Sequence, residues 1–338
     1  MSQQAAQAAT VPTAQPTTRV GAPAFEVPRS SWAKSRERLA WWLVLPSVLV
    51  VAIVALYPLF ESFRLSFTNA RLASTARAVE NVGFDNYRYL FGDNDFIQSL
   101  WHTVGFTVGS VVIETVLGVA VALVINSQFR GRGLMRAAIL VPWAIPTVVS
   151  SRLWQYMYQD SYGVINDLLT NQFPKLFSWI PIIGGPIAGL FPDEKIAFLS
   201  RPVTSLPAII AVDVWKTTPF MALLLLAGLQ IIPGDVYEAA YVDGANKWQQ
   251  FWQHTLPLLR PALLVALIFR TLDAFRVFDI VYVMKGAALE TQTLAIYAQQ
   301  TLVNGDRLGR ASAASVVIFL CIGVFVFIYT RLVKVEEE

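Results

Sequence analysis

Ionisable side chains stand inside apolar runs, where charge is costly, among them Glu114, Asp213, Lys216, Arg270, Asp273, Arg276 and Asp279. Asp213 and Lys216, Arg270 and Asp273, and Arg276 and Asp279 are each spaced three apart, which puts the members of each pair on one helix face. Two chemistries fit. The six can neutralise one another or partners on neighbouring helices, or Arg270 and Asp273 can face a polar cavity and meet a solute. Glu114 is open to two readings: a proton-coupling carboxylate, or a buried acid hydrogen-bonded to a neighbouring helix. Covalent and metal chemistry have no such support. His102 and His254 fall on opposite expected sides of a membrane, Cys321 is the sole cysteine, and there is neither a nucleophile elbow nor a GxxxxGK[ST] phosphate loop. No metal, no cofactor and no intrinsic enzyme activity is expected of the chain itself.

A second feature is a polar island, EAAYVDGANKWQQFWQHTLP, from Glu238 to Pro257, set between two apolar segments of membrane length. Pro233 and Gly234 end the preceding helix. Asp235 is placed to cap the next one, starting near Val236, with Glu238 at the capping-box position. Asp243 and Gly244 let the chain turn, and Asn246 can cap a further helix running towards Thr255. The expected shape is a helix, turn, helix projection able to dock a partner.

The elements that must hold these residues follow from composition. The chain is 55% hydrophobic and 14% charged, with mean hydropathy +0.51, against roughly 25% charged residues in an average soluble domain. An all-α, polytopic membrane protein is expected, with six spans at 41–60, 103–125, 134–157, 205–231, 258–283 and 311–331. Residues 1–38 read as a disordered cytoplasmic tail ending in Lys34, Arg36 and Arg38. Residues 39–332 form the membrane domain, with the polar loop at 235–257, and 333–338 a cytoplasmic tail. The basic cluster keeps the N-terminus inside, and an uncleaved first span is preferred to a signal peptide. Arg130, Arg132 and Arg136, and Arg331 and Lys334, then fall on the cytoplasmic side. The apolar stretch 176–191, cut by Pro181, Gly184, Gly185 and Pro186, is too short and broken to span and is assigned to an external region, 159–204. The net charge of +3 lies beside spans, so nucleic acid is not expected as a partner.

The segment from Glu238 to Pro257 resembles the EAA loop of binding-protein-dependent ABC importer permeases, with Gly244 four residues after Ala240 and Leu256-Pro257 at its end. The resemblance extends from about Trp42 to Leu332. GFDNYRYLFGDNDFIQSLWHT, GRGLMRAAILVPWAIP and YGVIND are similar to carbohydrate permeases of the maltose and glycerol-3-phosphate type. It implies the type I ABC importer permease fold, with both termini cytoplasmic in a bacterial inner membrane. It also implies a second homologous permease, two ATPase subunits carrying ATP and magnesium, and an extracytoplasmic solute-binding protein received at 159–204 and 285–310. Glu238 would contact the ATPase, Ala239 and Ala240 would allow close approach, Gly244 would make the turn and Asp243 would brace it. A sugar-like solute would meet Trp215, Lys216, Thr217 and Phe220 before the loop and Arg270, Asp273, Ala274 and Val277 after it.

The chain departs from the family at His254, where an Ile is usual, at His102, where an Asn is usual, and at Lys285-Gly286-Ala287-Ala288, in place of Gly-Gly-Pro and a Thr. The charged face of span five leaves phosphorylated polyols such as glycerol-3-phosphate open as solutes. Two readings from other classes also stand: an ion-coupled secondary transporter using Glu114 and the span-five charges, which inverted repeats and activity without an ATPase would favour, and a structural anchor that recruits an ATPase.

Overall fold

In the computed structural model, residues 31–73, 78–178, 186–187 and 189–332 are described, and their regular structure is helical apart from one isolated antiparallel bridge between Thr68 and Asn81. The parts of the expected tails at 1–30 and 333–338 lie outside the described residues, as do 179–185 and 188 of the external stretch. The chain divides into two units after Tyr57. The first holds α1 (Ser31–Val51), which starts within the segment expected as a tail, and a π-helical turn, Ala52–Leu56. Its apolar side chains, Trp41 and Trp42 among them, are exposed. A helix of this length and apolarity needs lipid or a partner as its solvent.

The remaining α-helices lie in the second unit, apart from Tyr57 at the start of the first of them. They are α2 (Tyr57–Leu65), α3 (Asp85–Gly92), α4 (Asn94–Asn126), α5 (Arg132–Ala144), α6 (Thr147–Met157), α7 (Val164–Asp167), α8 (Phe173–Ser178) and α9 (Pro202–Ile231). After them come α10 (Gly234–Val242), α11 (Lys247–Gln250), α12 (Leu256–Phe275), α13 (Asp279–Lys285), α14 (Leu294–Val303) and α15 (Leu308–Leu332).

Four helical runs among the described residues are long and apolar enough to cross a membrane alone: Arg38–Leu65, Asn94–Asn126, Pro202–Ile231 and Leu308–Arg331. The expected spans three and five are not single rods. Span three is α5 and α6, bent by 87°. Pro146 is the cause, because it lacks an N–H and drives Ile145 out of the helical region, to φ −70 and ψ 132. Span five is α12, which carries Arg260, Arg270 and Asp273, followed by α13 after a break at 276–278. No proline or glycine marks that break. The backbone carbonyl of Val277, freed there, accepts from the Thr293 hydroxyl at 2.9 Å.

Three apolar clusters organise the second unit. One joins Phe106 and Val111 of α4 to Ile209 and Val212 of α9, Ala274 of α12 and Val281 and Met284 of α13. Another joins Ala122 and Ile125 of α4 to Met221, Leu225 and Leu229 of α9 and Leu259 and Ala266 of α12. Leu90, Phe96, Leu294 and Ala313 belong to the third, under α3, α14 and α15. In each of α4 and α9 the first cluster precedes the second along the chain, and in α12 the order is reversed, so α4 and α9 run together and α12 returns.

Close approach fixes the register of these helices. A Cβ on Gly118 would come within 2.5 Å of Met221, and one on Gly228 within 2.3 Å of Ala262. Lipid tails are as apolar as Leu, so small-residue contacts of this kind and buried polar bonds do the specifying.

Candidate functional site

Between the two apolar layers that α4, α9 and α12 share lies the charge the sequence placed there. The Arg270 side chain is 3% exposed and that of Glu114 fully buried. The guanidinium donates to both Glu114 carboxylate oxygens, from Nε to Oε2 and from Nη2 to Oε1, the latter at 3.0 Å. It also donates to Asp213 Oδ2, and through Nη1 to Asp273 Oδ2 at 2.9 Å. Glu114 Oε1 accepts in addition from the Thr217 hydroxyl at 2.8 Å. One arginine thus ties three helices through three carboxylates. A planar fork of donors suits that task and an ammonium does not.

A cavity of about 530 Å³ opens beside the cluster. Its walls are the α5–α6 bend (Trp143 to Thr147), the Asp213, Lys216 and Thr217 face of α9, and the end of α12 through the break to Ile280. Lys216 secures the bend: its Nζ donates to Ile145 O at 2.5 Å and reaches Trp143 O at 3.5 Å. Those carbonyls end α5, where helix groups lack internal partners. Lys216 makes no ion pair with Asp213 among the described residues, nor does Arg276 with Asp279, although all four line the cavity. The neutralising and cavity-facing readings of the charged pairs therefore divide by residue. Arg270 and Asp213 are spent on the buried cluster, whereas Asp273, its side chain 62% exposed, faces the opening.

Six of the eight residues expected to meet solute line this cavity: Lys216, Thr217, Arg270, Asp273, Ala274 and Val277. Trp215 instead packs edge-on to Trp154, with centroids 5.4 Å apart. Phe220 stands behind the wall, stacked on Trp143 at 5.8 Å and 10°. The sequence reading missed Trp143, Ile145 and Phe278. The two prolines of VPWAIP were the available signal for the bend; nothing local flagged Phe278. Glu114 takes the hydrogen-bonded form of its two readings. Among the described residues no group of three or more His, Cys, Asp or Glu is placed to hold a metal ion.

The polar loop leaves α9 and re-enters α12. Ala245 N donates to Ala240 O at 2.9 Å and Gly244 N to Tyr241 O at 3.0 Å, with Gly244 at φ +81. This pairing is a Schellman closure, and it accounts for a glycine four residues after Ala240. Asn246 then caps α11 in a capping box with Gln249, at 2.9 and 2.8 Å. The other expected cap does not form. Helix α10 starts at Gly234 with Pro233 at its N-cap, which leaves Asp235 in the first turn. Ala240 is buried within the loop, while Glu238, Ala239, Asp243 and Gly244 are exposed. Tyr241, Val242 and Trp248 add exposed apolar surface beside Glu238, at 78%, 83% and 70%.

The family described as binding-protein-dependent transport system inner membrane component matches residues 114–335. The trehalose/maltose transport system permease protein MalF of Thermococcus litoralis is 40% identical over 312 residues, covering 91% of this chain and 98% of that protein. The trehalose transport system permease protein SugA of Mycobacterium tuberculosis is 38% identical over 304 residues, with 90% and 91% covered. A solved bacterial ABC transporter involved in the import of the acidic polysaccharide alginate has the same fold, at TM-score 0.70 and 23% identity over 91% of this chain and 99% of that one. The alginate transporter is also solved in complex with an alginate pentasaccharide-bound periplasmic protein.

Proposed function

The chain belongs to the family of binding-protein-dependent transport system inner membrane components, and on that premise we propose that it is the permease subunit of an ATP-driven sugar importer. One observation carries the mechanism. Helix α9 runs from the cavity residues Asp213, Lys216 and Thr217 straight into the polar loop, and α12 returns from that loop to Arg270 and Asp273. A displacement of the loop is thereby delivered to two cavity walls at once, through helices locked at the Arg270 cluster. An ATPase dimer that closes on the loop would switch the cavity between inward and outward access, and the switch would proceed by rigid-body movement. Glu238 supplies the charged contact to the ATPase, Ala239 the close approach, Ala240 and Gly244 the closed turn, and Asp243 a brace beside it.

Sugar as the solute class is supported by the trehalose and maltose names of relatives covered nearly end to end and by the cavity's mixture of aromatic and polar walls. Hydroxyls can bond Asp273 and Thr217 while an apolar ring face meets Phe278. A second homologous permease would close the open side of the cavity, and a solute-binding protein would load it from the far end. The loop and Arg130, Arg132 and Arg136 then lie in the cytoplasm of a bacterial inner membrane, with both termini on that side.

The test is reconstitution in liposomes with the second permease, the ATPase and the binding protein. ATP-dependent, saturable trehalose or maltose uptake is expected. Uptake driven by an ion gradient without the ATPase would instead support a secondary transporter, and competition by glycerol-3-phosphate a polyol-phosphate importer.

A further inference from the structure

A second cavity, of about 480 Å³, lies next along α6 and α13, two of the elements that wall the first. Thr147, at the start of α6, lines the inner cavity, and Arg152 and Gln155 in its second half, with Tyr158, Gln159 and Asp160 just past its end, line the outer one. On α13 and its approach the order repeats: Phe278, Asp279 and Ile280 line the inner cavity, and Tyr282 to Gly286 the outer. Along α6 the linings are five residues apart, from Thr147 to Arg152, about 7.5 Å at 1.5 Å per residue, and along α13 they adjoin between Ile280 and Tyr282. The outer cavity is on the side away from the polar loop, because α12 climbs from the loop to the buried cluster before α13 begins.

Its walls are braced. Gln155 accepts from Arg152 at 2.7 Å and donates to Met284 O at 2.9 Å, which joins α6 to α13. Ser200 donates to Asp160 at 2.6 Å, and Lys285 donates to Leu199 O at 2.6 Å. Against this fixed frame, the Gln159 amide and the Tyr282 hydroxyl make no hydrogen bond among the described residues. Tyr282 stacks on Phe278 with centroids 5.1 Å apart and planes 14° from parallel, so one aromatic track passes from the outer cavity to the inner.

We propose that the outer cavity is a second sugar-binding station, which takes solute released by the binding protein and passes it along Tyr282 and Phe278 to the inner cavity. The inference rests on the reading of the chain as a sugar permease. The chemistry is that of a carbohydrate: free amide and hydroxyl groups for the sugar's hydroxyls, a flat aromatic for its ring, and a volume within the range of about 300–1,000 Å³ usual for small-ligand sites.

The test uses the whole reconstituted transporter, with Cys321→Ser and either Gln159→Cys or Ser200→Cys on opposite walls of the outer cavity. The rate of labelling by a membrane-impermeant maleimide is read with no addition, with empty binding protein, and with binding protein loaded with trehalose. Slowed labelling with loaded but not with empty binding protein is the expected result. Equal labelling in all three states, or equal slowing by empty and by loaded binding protein, overturns the proposal, the second outcome marking a docking face instead. Tyr282→Ala should raise the half-saturating concentration of loaded binding protein about 10-fold, and Tyr282→Phe, which keeps the ring and loses the hydroxyl, about 2- to 3-fold. Equal behaviour of the two variants also overturns it. Uptake by the unsubstituted complex is measured in parallel. If no sugar is imported, the proposed function fails, and that failure is distinct from an unprotected cavity in a working importer.

Discussion

Replacing Arg270 by Met should destabilise the protein more than replacing it together with its two buried carboxylate partners. The side chains of Glu114 and Asp213 are 0% and 9% exposed, and each takes its ionic partner from this one guanidinium. Without it two carboxylates are left buried and uncompensated, and removing one partner of a buried pair costs about 3–5 kcal/mol. For a chain of this size that is a fall of roughly 5–15 °C in the thermal midpoint. The triple replacement Arg270→Met, Glu114→Gln and Asp213→Asn removes the charges with their desolvation cost and should recover at least half of the loss. Asp273→Asn, at a side chain 62% exposed, should cost less than about 1 kcal/mol. The assay is the fraction of purified complex that stays monodisperse after heating in detergent. The reasoning fails if Arg270→Met is as stable as the parent, or if the triple variant is no better than the single one.

Three further outcomes follow. Gly244→Val should uncouple transport: no atom would meet a Cβ there, but φ +81 disfavours a side chain by about 1–2 kcal/mol, so the turn should reshape. Sugar-stimulated ATP hydrolysis should fall at least tenfold while the ATPase still binds nucleotide; unchanged stimulation would contradict it. Lys216→Met removes the donor to the Ile145 and Trp143 carbonyls and should loosen the α5–α6 bend, seen as faster hydrogen exchange at the start of α6; exchange equal to the parent's would count against the strut. Outside the spans, the hydrogen bond from Lys285 holds the Glu290 carboxyl below its usual value near 4.5. A depressed value means that the stabilisation is present above that range and is lost as pH falls below it. The Lys285 tie should therefore weaken in strong acid, and Glu290→Gln should flatten that part of the stability profile between pH 5 and pH 3.

Local chemistry was legible in the chain, and long-range pairing was not. The Asn246 cap and the Gly244 turn are set by neighbours within five residues, and both form as the side-chain types dictate. Asp235 failed as a cap because Pro233, with its fixed φ, already begins the helix two residues earlier. Spacing put Arg270 and Asp273 on one face, and they do pair. That Arg270 also takes Glu114, 156 residues away, depends on the packing of α4 against α9 and α12, which no periodicity encodes. The break after Phe275 was hidden for a related reason. It has no proline or glycine, and the carbonyl it frees is satisfied by Thr293 from a later segment. At Pro146 the residue type was visible but the 87° bend was not, since a proline can kink a span without turning it.

The central claim is that solute passes the cavity at Asp273 and is driven there through the loop. The direct measurement is ATP-dependent trehalose uptake by the reconstituted four-component importer carrying Asp273→Ala, read together with its binding-protein-stimulated ATP hydrolysis and its thermal midpoint. Uptake at limiting sugar should fall at least tenfold, with hydrolysis still stimulated and a midpoint within about 2 °C of the parent. Uptake equal to the parent's at limiting sugar would contradict the claim.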